Sequence, residues 1–209
     1  MNSTQENKTP LIRKPTLAEH LLPLIIAAFA LLIDQLTKRW IEATIPVGFT
    51  IAPVPFISPY LTLTNVQNSG AAFSIFQNGR LFFIVVAVIV SGLIIYYAPR
   101  LPAGDRISRL ALGLQLAGAL GNLIDRLRQG YATDFLHLQI PQIGFDWPVS
   151  NIADICIVSG VILLIANTLW RERKENQETA GGIKANDDSA ANTAKAADAA
   201  DSQEESQQA

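Results

Sequence analysis

Two aspartates are the residues of this sequence best suited to acid–base chemistry. Asp134 lies in "YATDFLHL" and Asp154 in "PVSNIADICIVSG", on either side of one connection between two apolar segments. When two carboxyl groups share a partly dry site, one pKa rises and the pair can hold a single proton. Peptide hydrolysis of the aspartic-protease type uses such a pair: one carboxylate deprotonates water, and the other polarises the carbonyl and protonates the departing amine. This chemistry needs neither a metal nor a covalent intermediate.

Asp154 also has a simpler explanation. Ser150 and Asn151 both suit the N-cap of a helix, and Asp154 then falls in the first turn, where the helix dipole favours an anion. Asn151 and Asp154 are three residues apart and share a helical face. Taken alone, Asp154 fits a capping charge as well as a catalyst.

A second polar group closes an apolar segment at "GALGNLIDR". On a helix, one face carries Gly118, Asn122, Asp125 and Arg126. Polar groups within a membrane are costly unless they face protein or water, so this face is predicted to point inward. The alternative for Asp125 and Arg126 is an interfacial salt bridge between the two.

Two further stretches combine polar and small residues. Asp34 and Lys38 in "DQLTK" are spaced i, i+4, so they can neutralise each other, and a stabilising role is the favoured interpretation. "NSGAAFSIF", which begins at Asn68, fits a tight turn at Gly70 with close packing. It would also give a peptide substrate backbone room and an amide to bind.

Other nucleophiles are weaker candidates. Cys156 has no histidine nearby in sequence and is predicted to be a small core residue. His137 alone is typical of a surface strand. A Ser/Lys dyad, with Lys38 and either Ser69 or Ser74, stays open. We find no zinc-like spacing of Cys and His, no Gly-rich phosphate loop and no basic tract with interleaved aromatics, so a nucleic-acid partner is not expected.

Four segments must position these residues, and each is near the length needed to cross about 30 Å of hydrocarbon. They are Leu17–Ile41, Leu81–Ala98, Ile107–Ile124 and Ile152–Trp170. Arg13 and Lys14 before the first segment also suit a cleavable signal peptide, but no small-x-small cleavage site follows, so an uncleaved first span is predicted.

The basic residues near the span ends indicate the topology. They are Lys8, Arg13 and Lys14 before the first span, Arg100, Arg106 and Arg109 between the second and third, and Arg171, Arg173 and Lys174 after the fourth. By the positive-inside tendency both termini are cytoplasmic, and the connections at about 42–80 and 128–151 face outward. Asp134 and Asp154 then share the outer membrane boundary.

The remaining organisation follows from composition. The 209 residues suit one domain. Alternation in "YLTLTNVQ" and "YATDFLHL" predicts strands in the two outward connections. From about Glu175 the chain has almost no large apolar residue, which predicts a disordered tail. That tail holds eight acidic and two basic residues, so the 18 acidic and 16 basic residues of the whole chain leave 10 and 14 in the remainder.

The predicted fold class is a polytopic membrane protein with four transmembrane α-helices and a small extracytoplasmic β-element. The predicted boundaries are a cytoplasmic N-terminal tail at 1–16, a four-span domain at 17–174 and a disordered acidic cytoplasmic tail at 175–209.

Five motifs together resemble the lipoprotein signal peptidases of bacteria, or signal peptidase II. They are "DQLTK" at 34–38, "NSGAAF" at 68–73, "GALGNLIDR" at 118–126, "ATDF" at 132–135 and "NIADICI" at 151–157. Their order and spacing are specific, and the resemblance covers about residues 17–170. Ser150 departs from the pattern, since the family often has phenylalanine there.

The resemblance implies a site and a substrate. It identifies Asp134 and Asp154 with the family's catalytic aspartates. Positions that support the site or the substrate are Asp34, Lys38, Asn68, Gly70, Gly118, Asn122, Asp125, Arg126, Asn151 and Ala153. It implies a monomer in the bacterial cytoplasmic (inner) membrane, with no cofactor or metal, that cuts diacylglyceryl-modified prolipoproteins before the lipidated cysteine at the outer face.

Two other functions stay open on the residues alone. An ion or proton transporter would use Asp34, Asp125 and Asp154 as an intramembrane relay, with carboxylates spread through the membrane depth. A non-enzymatic membrane scaffold would use the same charges as ion pairs only, and it would tolerate Asp134→Asn.

Overall fold

Four long helices and a small sheet make up the described part of the chain. The computed structural model describes residues 13–70, 79–177 and 179. The helices are α1 (Leu17–Thr44), α2 (Gly79–Tyr97), α3 (Arg106–Gln129) and α4 (Ile152–Gln177). The strands are β1 (Thr50–Ile51), β2 (Leu61–Asn68), β3 (Ala132–Ile140) and β4 (Phe145–Asp146). All four helices are long and apolar enough to cross a membrane, which confirms the predicted spans and fold class.

The helices extend beyond the apolar segments that predicted them. α1 continues from Ile41 to Thr44, and α3 continues from Ile124 to Gln129. The polar residues at these ends are held by contacts with other elements, so loss of hydropathy does not end the helix. α3 ends at Gly130, whose φ of 92° is left-handed and whose N–H bonds to the Arg126 carbonyl. Glycine adopts this conformation without steric cost, and it directs the chain into β3.

α3 is the central helix of the described bundle. In its most apolar 18-residue window 61% of residues are buried, against 17–22% in the other three helices. It contacts both α1 and α2. The outer faces of α1 and α2 leave large apolar side chains exposed, Phe29, Leu32, Val88 and Ile95 among them, as expected for surfaces that face lipid.

Contacts within the chain separate it into two units, Met1–Leu164 and Ile165–Ala209. The first contains α1 to α3, the sheet and the start of α4. In the second, helix α4 continues to Gln177, three residues into the segment predicted to be a disordered tail. Almost all the rest of that tail lies outside the described residues.

The sheet is antiparallel, in the order β1-β2-β3-β4. Both predicted strands are confirmed, since β2 covers 61–68 and β3 covers 132–140. Phe135 of β3 packs against Ile41 and Ile45 at the end of α1, and this cluster joins the sheet to the bundle. Ala132 to Phe135 are all buried, so the first half of β3 is covered on both faces.

Gly118 and Gly121 allow α3 to approach the first turns of α4. A Cβ at Gly118 would overlap the Ala153 carbonyl oxygen and lie 2.5 Å from Ile157 Cγ1. A Cβ at Gly121 would lie 2.5 Å from Asp34 Oδ2 and 3.1 Å from the Ala153 Cβ. These distances explain why small residues occupy 118, 121 and 153, because α1, α3 and α4 meet there.

We predict that Gly118→Ala lowers the free energy of unfolding by about 1–3 kcal/mol, because backbone must move to admit the methyl group. Thermal unfolding of the purified protein in detergent measures the change. Gly92→Ala is the matched control: it is also in a helix, and its Cβ would meet nothing within 4 Å. That variant should be unchanged or more stable by roughly 0.5–1 kcal/mol. Equal stability of the two variants would contradict the close approach.

Candidate active site

Asp134 is held by two asparagine side chains. It lies on β3 opposite Val66 of β2, so Asn68 is its diagonal neighbour on the same face. Asn68 Nδ2 donates to Asp134 Oδ2 at 2.7 Å, and Asn151 Nδ2 donates to Asp134 Oδ1 at 2.6 Å. Asp134 is only 2% exposed. Each carboxylate oxygen therefore accepts a short hydrogen bond in a nearly dry position.

Asp154 both caps α4 and takes part in the polar cluster. Asn151 Oδ1 accepts from the Asp154 backbone N–H at 2.9 Å, and Asp154 Oδ2 accepts from the Asn151 N–H at 3.2 Å. This reciprocal capping confirms Asn151, rather than Ser150, as the N-cap. The other carboxylate oxygen, Oδ1, accepts from Asn122 Nδ2 at 2.7 Å. Asp154 therefore caps α4 and belongs to the polar cluster at the same time.

Asn151 and Asn122 connect the two aspartates. The Asn151 side-chain nitrogen donates to the Asp134 carboxylate. The Asn151 side-chain oxygen accepts from the Asp154 backbone N–H, and the Asn151 backbone N–H donates to the Asp154 carboxylate. Asn151 Nδ2 also lies 3.2 Å from Asn122 Oδ1. The two amides thus fix β3, α3 and the start of α4 relative to one another. The predicted meeting of Asp134 and Asp154 is present in the structure.

Burial and the second aspartate raise the pKa of Asp134. The pKa rises from its ordinary 3.8 to about 6, first because burial disfavours the charged form and second because the Asp154 carboxylate repels a second negative charge. Hydrogen bonds from Asn68 and Asn151 act in the opposite direction but are the smaller effect. The pair is therefore suited to hold one proton in mildly acidic solution.

A buried ammonium group lies beside the dyad, the pair formed by Asp134 and Asp154. Lys38 Nζ is 3.0 Å from Asp34 Oδ2, 2.8 Å from Asp125 Oδ2 and 3.0 Å from Asn122 Oδ1. The predicted Asp34–Lys38 pair is confirmed. Three acceptors occupy the three donors of this ammonium, so Lys38 is not free to act as the base of a Ser/Lys dyad. Ser74 lies outside the described residues.

The carboxylates around Lys38 extend the cluster to other elements. Asp34 Oδ1 accepts from the Ala153 backbone N–H at 2.8 Å, which ties α1 to the first turn of α4. Asp125 Oδ2 accepts from the Thr133 N–H at 3.4 Å, next to Asp134. Because Asp34 and Asp125 share one buried cation, they are ion-paired supports here rather than links of a proton relay.

The Asp125–Arg126 salt bridge allowed by the sequence is not the pairing that the structure has. Asp125 pairs with Lys38, while the Arg126 guanidinium lies 4.7 Å from the centre of the Phe83 ring and donates to the Asn122 carbonyl at 3.2 Å. Adjacent residues on a helix point about 100° apart, so one turns toward α1 and the other toward α2. Arg126 thereby contributes positive charge on the side of the dyad that faces the cavity.

A cavity of ≈ 380 Å³ adjoins the dyad between α2, α3 and α4. Its polar lining comes from Asn68, Gly70, Gln115, Asn122, Arg126 and Asp154, and its apolar lining from Phe83, Val86, Ala87, Val90, Ala119 and Ile157. Asp154 opens on the cavity, whereas Asp134 is almost fully buried beside it. The arrangement gives an apolar chain a groove that opens on Asp154, while the buried Asp134 does not line it.

Gly70 allows the chain to turn closely at this cavity. Its φ is 95°, and a Cβ there would lie 2.5 Å from Phe83 Cε2. Its N–H donates to Asn68 Oδ1 at 2.8 Å, which orients the amide that holds Asp134. The rest of the predicted "NSGAAFSIF" motif, from Ala71 onward, lies outside the described residues.

Cys156 is a core residue and His137 is a surface strand residue, as the sequence predicted. Cys156 is 7% exposed within the apolar core cluster. His137 pairs with Asp146 at the surface, with 2.7 Å between His137 Nε2 and Asp146 Oδ1. Neither contacts the dyad.

Sequence reasoning missed two supports. Gln35 Nε2 lies 3.0 Å from Asp125 Oδ1 and 3.2 Å from Asp34 Oδ2, and an amide between two charged residues of an apolar span was the available signal. Glu42 Oε1 accepts from Thr133 Oγ1 at 2.6 Å and from Arg128 at 2.7 Å, which fixes the start of β3. No local pattern indicates that contact, because its partners are far apart in the sequence.

We predict that Lys38→Met is strongly destabilising. Removing the ammonium leaves Asp34 and Asp125 buried side by side, and breaking a buried pair in this way costs about 3–5 kcal/mol. Thermal unfolding in detergent is the measurement, with Arg13→Gln as the control. Arg13 also pairs with a carboxylate, but its side chain is 64% exposed, so the control should melt near the wild-type temperature. A Lys38→Met protein as stable as the control would contradict the buried cluster.

We predict that Asp134 holds a proton below about pH 6 and loses it as the pH rises through that value. The folded state binds this proton more tightly than the unfolded chain does. The stability contribution is therefore complete below pH 3.8 and disappears as the pH passes about 6. The infrared band of a protonated carboxyl group should titrate near pH 6 in the wild type and be missing in Asp134→Asn. It should persist in Asp146→Asn, and a band that also persists in Asp134→Asn would refute the assignment.

Comparisons with known proteins identify the family of this chain. The family model described as signal peptidase (SPase) II matches residues 26–170. A lipoprotein signal peptidase of Streptococcus pyogenes serotype M2 (strain MGAS10270) is 43% identical over 140 residues, which are 67% of this chain and 87% of that protein. The corresponding protein of serotype M5 (strain Manfredo) has the same identity and coverage.

Solved structures give the same result. Two structures of a bacterial membrane enzyme, at 2.3 and 1.9 Å resolution, are 32% identical to this chain with TM-scores of 0.65 and 0.66. Each covers 76% of this chain, and the matches extend over 92% and 97% of those chains. Because the family model spans well over half of the sequence and the relatives exceed 30% identity, this multi-pass membrane protein belongs to the signal peptidase II family, the lipoprotein signal peptidases.

Proposed function

We propose that this protein is a membrane aspartic endopeptidase that removes the signal peptide from diacylglyceryl-modified prolipoproteins and cuts before the lipidated cysteine. The observation that carries the proposal is the pair Asp134 and Asp154, linked by Asn151 beside an apolar cavity. Family membership supports the class of reaction, and the geometry supports these two residues as the catalytic dyad.

The dyad begins the reaction with one proton on Asp134, the carboxyl whose pKa is raised by burial and by the neighbouring Asp154 carboxylate. Asp154, which opens on the cavity, takes a proton from a water molecule as the water oxygen attacks the scissile carbonyl carbon. Asp134 donates its proton to the carbonyl oxygen, which gives a neutral tetrahedral intermediate. When the C–N bond breaks, Asp154 protonates the departing amine and Asp134 recovers a proton from the new carboxyl group. No cofactor is required.

The supporting residues keep both carboxyls in position through this proton transfer. Asn68 and Asn151 donate to Asp134, and Asn122 donates to Asp154, so neither carboxylate can rotate freely. Such fixed donors stabilise charge without reorganising during the reaction. Lys38 acts through Asn122. Its ammonium group donates to Asn122 Oδ1, and this leaves the Asn122 amide nitrogen directed at Asp154.

The cavity supports a lipid-modified substrate. Its α2 wall is apolar, from Phe83 to Val90, and suits the hydrophobic part of a signal peptide. The acyl chains of the lipidated cysteine can stay in the bilayer beside the helices while the scissile bond reaches the dyad. We propose that the protein acts as a monomer.

The orientation follows from the basic residues. We propose that both termini are cytoplasmic and that the dyad lies at the outer face of the bacterial cytoplasmic membrane. Arg100, Arg106 and Arg109 lie at the bundle end opposite to the dyad, as the positive-inside tendency requires. The short acidic extension beyond 174 and the first 16 residues are then cytoplasmic tails.

We predict that Asp134→Asn and Asp154→Asn each reduce cleavage of a diacylglyceryl-modified precursor by about 100-fold or more, because the amide can neither accept nor donate the catalytic proton. A gel-shift assay with purified, folded variants measures cleavage. The control is Asp146→Asn, since Asp146 is 69% exposed at the surface and should be dispensable. Near-normal cleavage by either dyad variant would remove that aspartate from the mechanism.

The same assay tests the substrate class. Precursor that lacks the diacylglyceryl group should be cut far more slowly than the lipid-modified form. Equal rates would contradict the lipoprotein assignment while leaving the aspartic mechanism in place.

A further inference from the structure

Gln115 is a polar residue of α3 that the proposed mechanism does not use. It lies seven positions before Asn122 on the same helix, so it is about 10 Å further from the dyad along the helix axis. Its side chain lines the cavity together with Val86, Val90 and Ile157. It is therefore an amide in the otherwise apolar depth of the groove.

The amide of Gln115 has an unsatisfied donor. Its Nε2 is buried and has no hydrogen-bond partner among the residues that the structure describes. A buried donor without an acceptor is unfavourable, more so at hydrocarbon depth, where no bulk water can compensate. Intramembrane polar residues that are not needed for packing mark contacts with a substrate or ligand.

Packing does not require the amide. The aliphatic part of Gln115 lies against Gly160 of α4, where a glycine Cβ would come within 2.6 Å of Gln115 Cγ. An unbranched apolar side chain of the same length would make that contact equally well. The amide group therefore needs another explanation than helix packing.

We propose that Gln115 is a substrate-binding residue whose amide nitrogen, turned toward the cavity by rotation about the soft terminal torsion of the side chain, donates to a main-chain carbonyl of the signal segment bound there. The inference rests on the proposed function. The last four carbonyl groups of a helical signal segment have no partner within that helix, and they precede the scissile bond. A distance of about 10 Å corresponds to roughly three residues of extended chain, so Gln115 reaches the region where such a helix ends.

The test compares Gln115→Met with Ser91→Ala. Met keeps the length and the contact with Gly160 but cannot donate. Ser91 on α2 also has a buried hydroxyl with no partner in the described part of the chain, yet it does not line the cavity, so it is the matched control. For each variant we would measure the melting temperature in detergent, and KM and kcat for a diacylglyceryl-modified precursor.

We expect Gln115→Met to melt no lower than the wild type, because an unsatisfied buried donor is removed. Its KM should rise roughly three- to tenfold, as for one lost hydrogen bond, with kcat nearly unchanged. Ser91→Ala should also melt no lower than the wild type, but its KM should stay at the wild-type value. An unchanged KM in Gln115→Met, or a lowered melting temperature, would overturn the proposal.

A second experiment identifies the substrate group that accepts the hydrogen bond from Gln115. The lipid ester carbonyls of the modified cysteine are the other possible partners. With a precursor whose acyl chains are ether-linked, the KM increase caused by Gln115→Met should persist if the acceptor is a peptide carbonyl. Loss of that increase would overturn the assignment to the signal segment. Failure of the proposed function is distinguishable, because the wild type itself would then not cleave the precursor.

Discussion

The elements that carry the site depend on one buried ammonium group. Lys38 on α1 contacts Asp34, Asp125 and Asn122, and it is fully buried. Asp34 continues this connection to the first turn of α4 through Ala153, and Asp125 continues it to the start of β3 through Thr133. Charges this deep persist only when each has partners, so α1, α3, α4 and β3 must meet in one arrangement.

Two asparagines hold the two aspartates in that arrangement. A carboxylate beside a second carboxylate is unfavourable, and Asn151 and Asn122 offset this by donating to both without adding a positive charge. The pKa of Asp134 can therefore stay high while its orientation stays fixed. A lysine or arginine in the same place would hold the carboxyls as well, but it would lower their pKa and remove the shared proton.

Two faces of α3 differ in how closely they pack against the neighbouring helices. On one side Gly118 allows a close approach to α4, and Gly121 allows a close approach to α4 and to Asp34 of α1. On the other side, toward α2, larger side chains stand apart and leave ≈ 380 Å³ open. A single helix can do both because its faces are independent, so α3 packs closely on one face and lines the cavity on another.

The sequence by itself determined the four spans and the two principal strands, and it narrowed the helix cap to Ser150 or Asn151, because apolar length, alternation and capping are local properties. It also marked Asp134 and Asp154 as candidate partners. Only the tertiary structure decided which partner each charge takes. Asp125 stands next to Arg126 in the chain, yet it pairs with Lys38 on another helix, because neighbouring helical residues point in different directions. The contact of Glu42 with Thr133 and the cavity beside Gln115 arise likewise from the packing of distant segments, which no local pattern encodes.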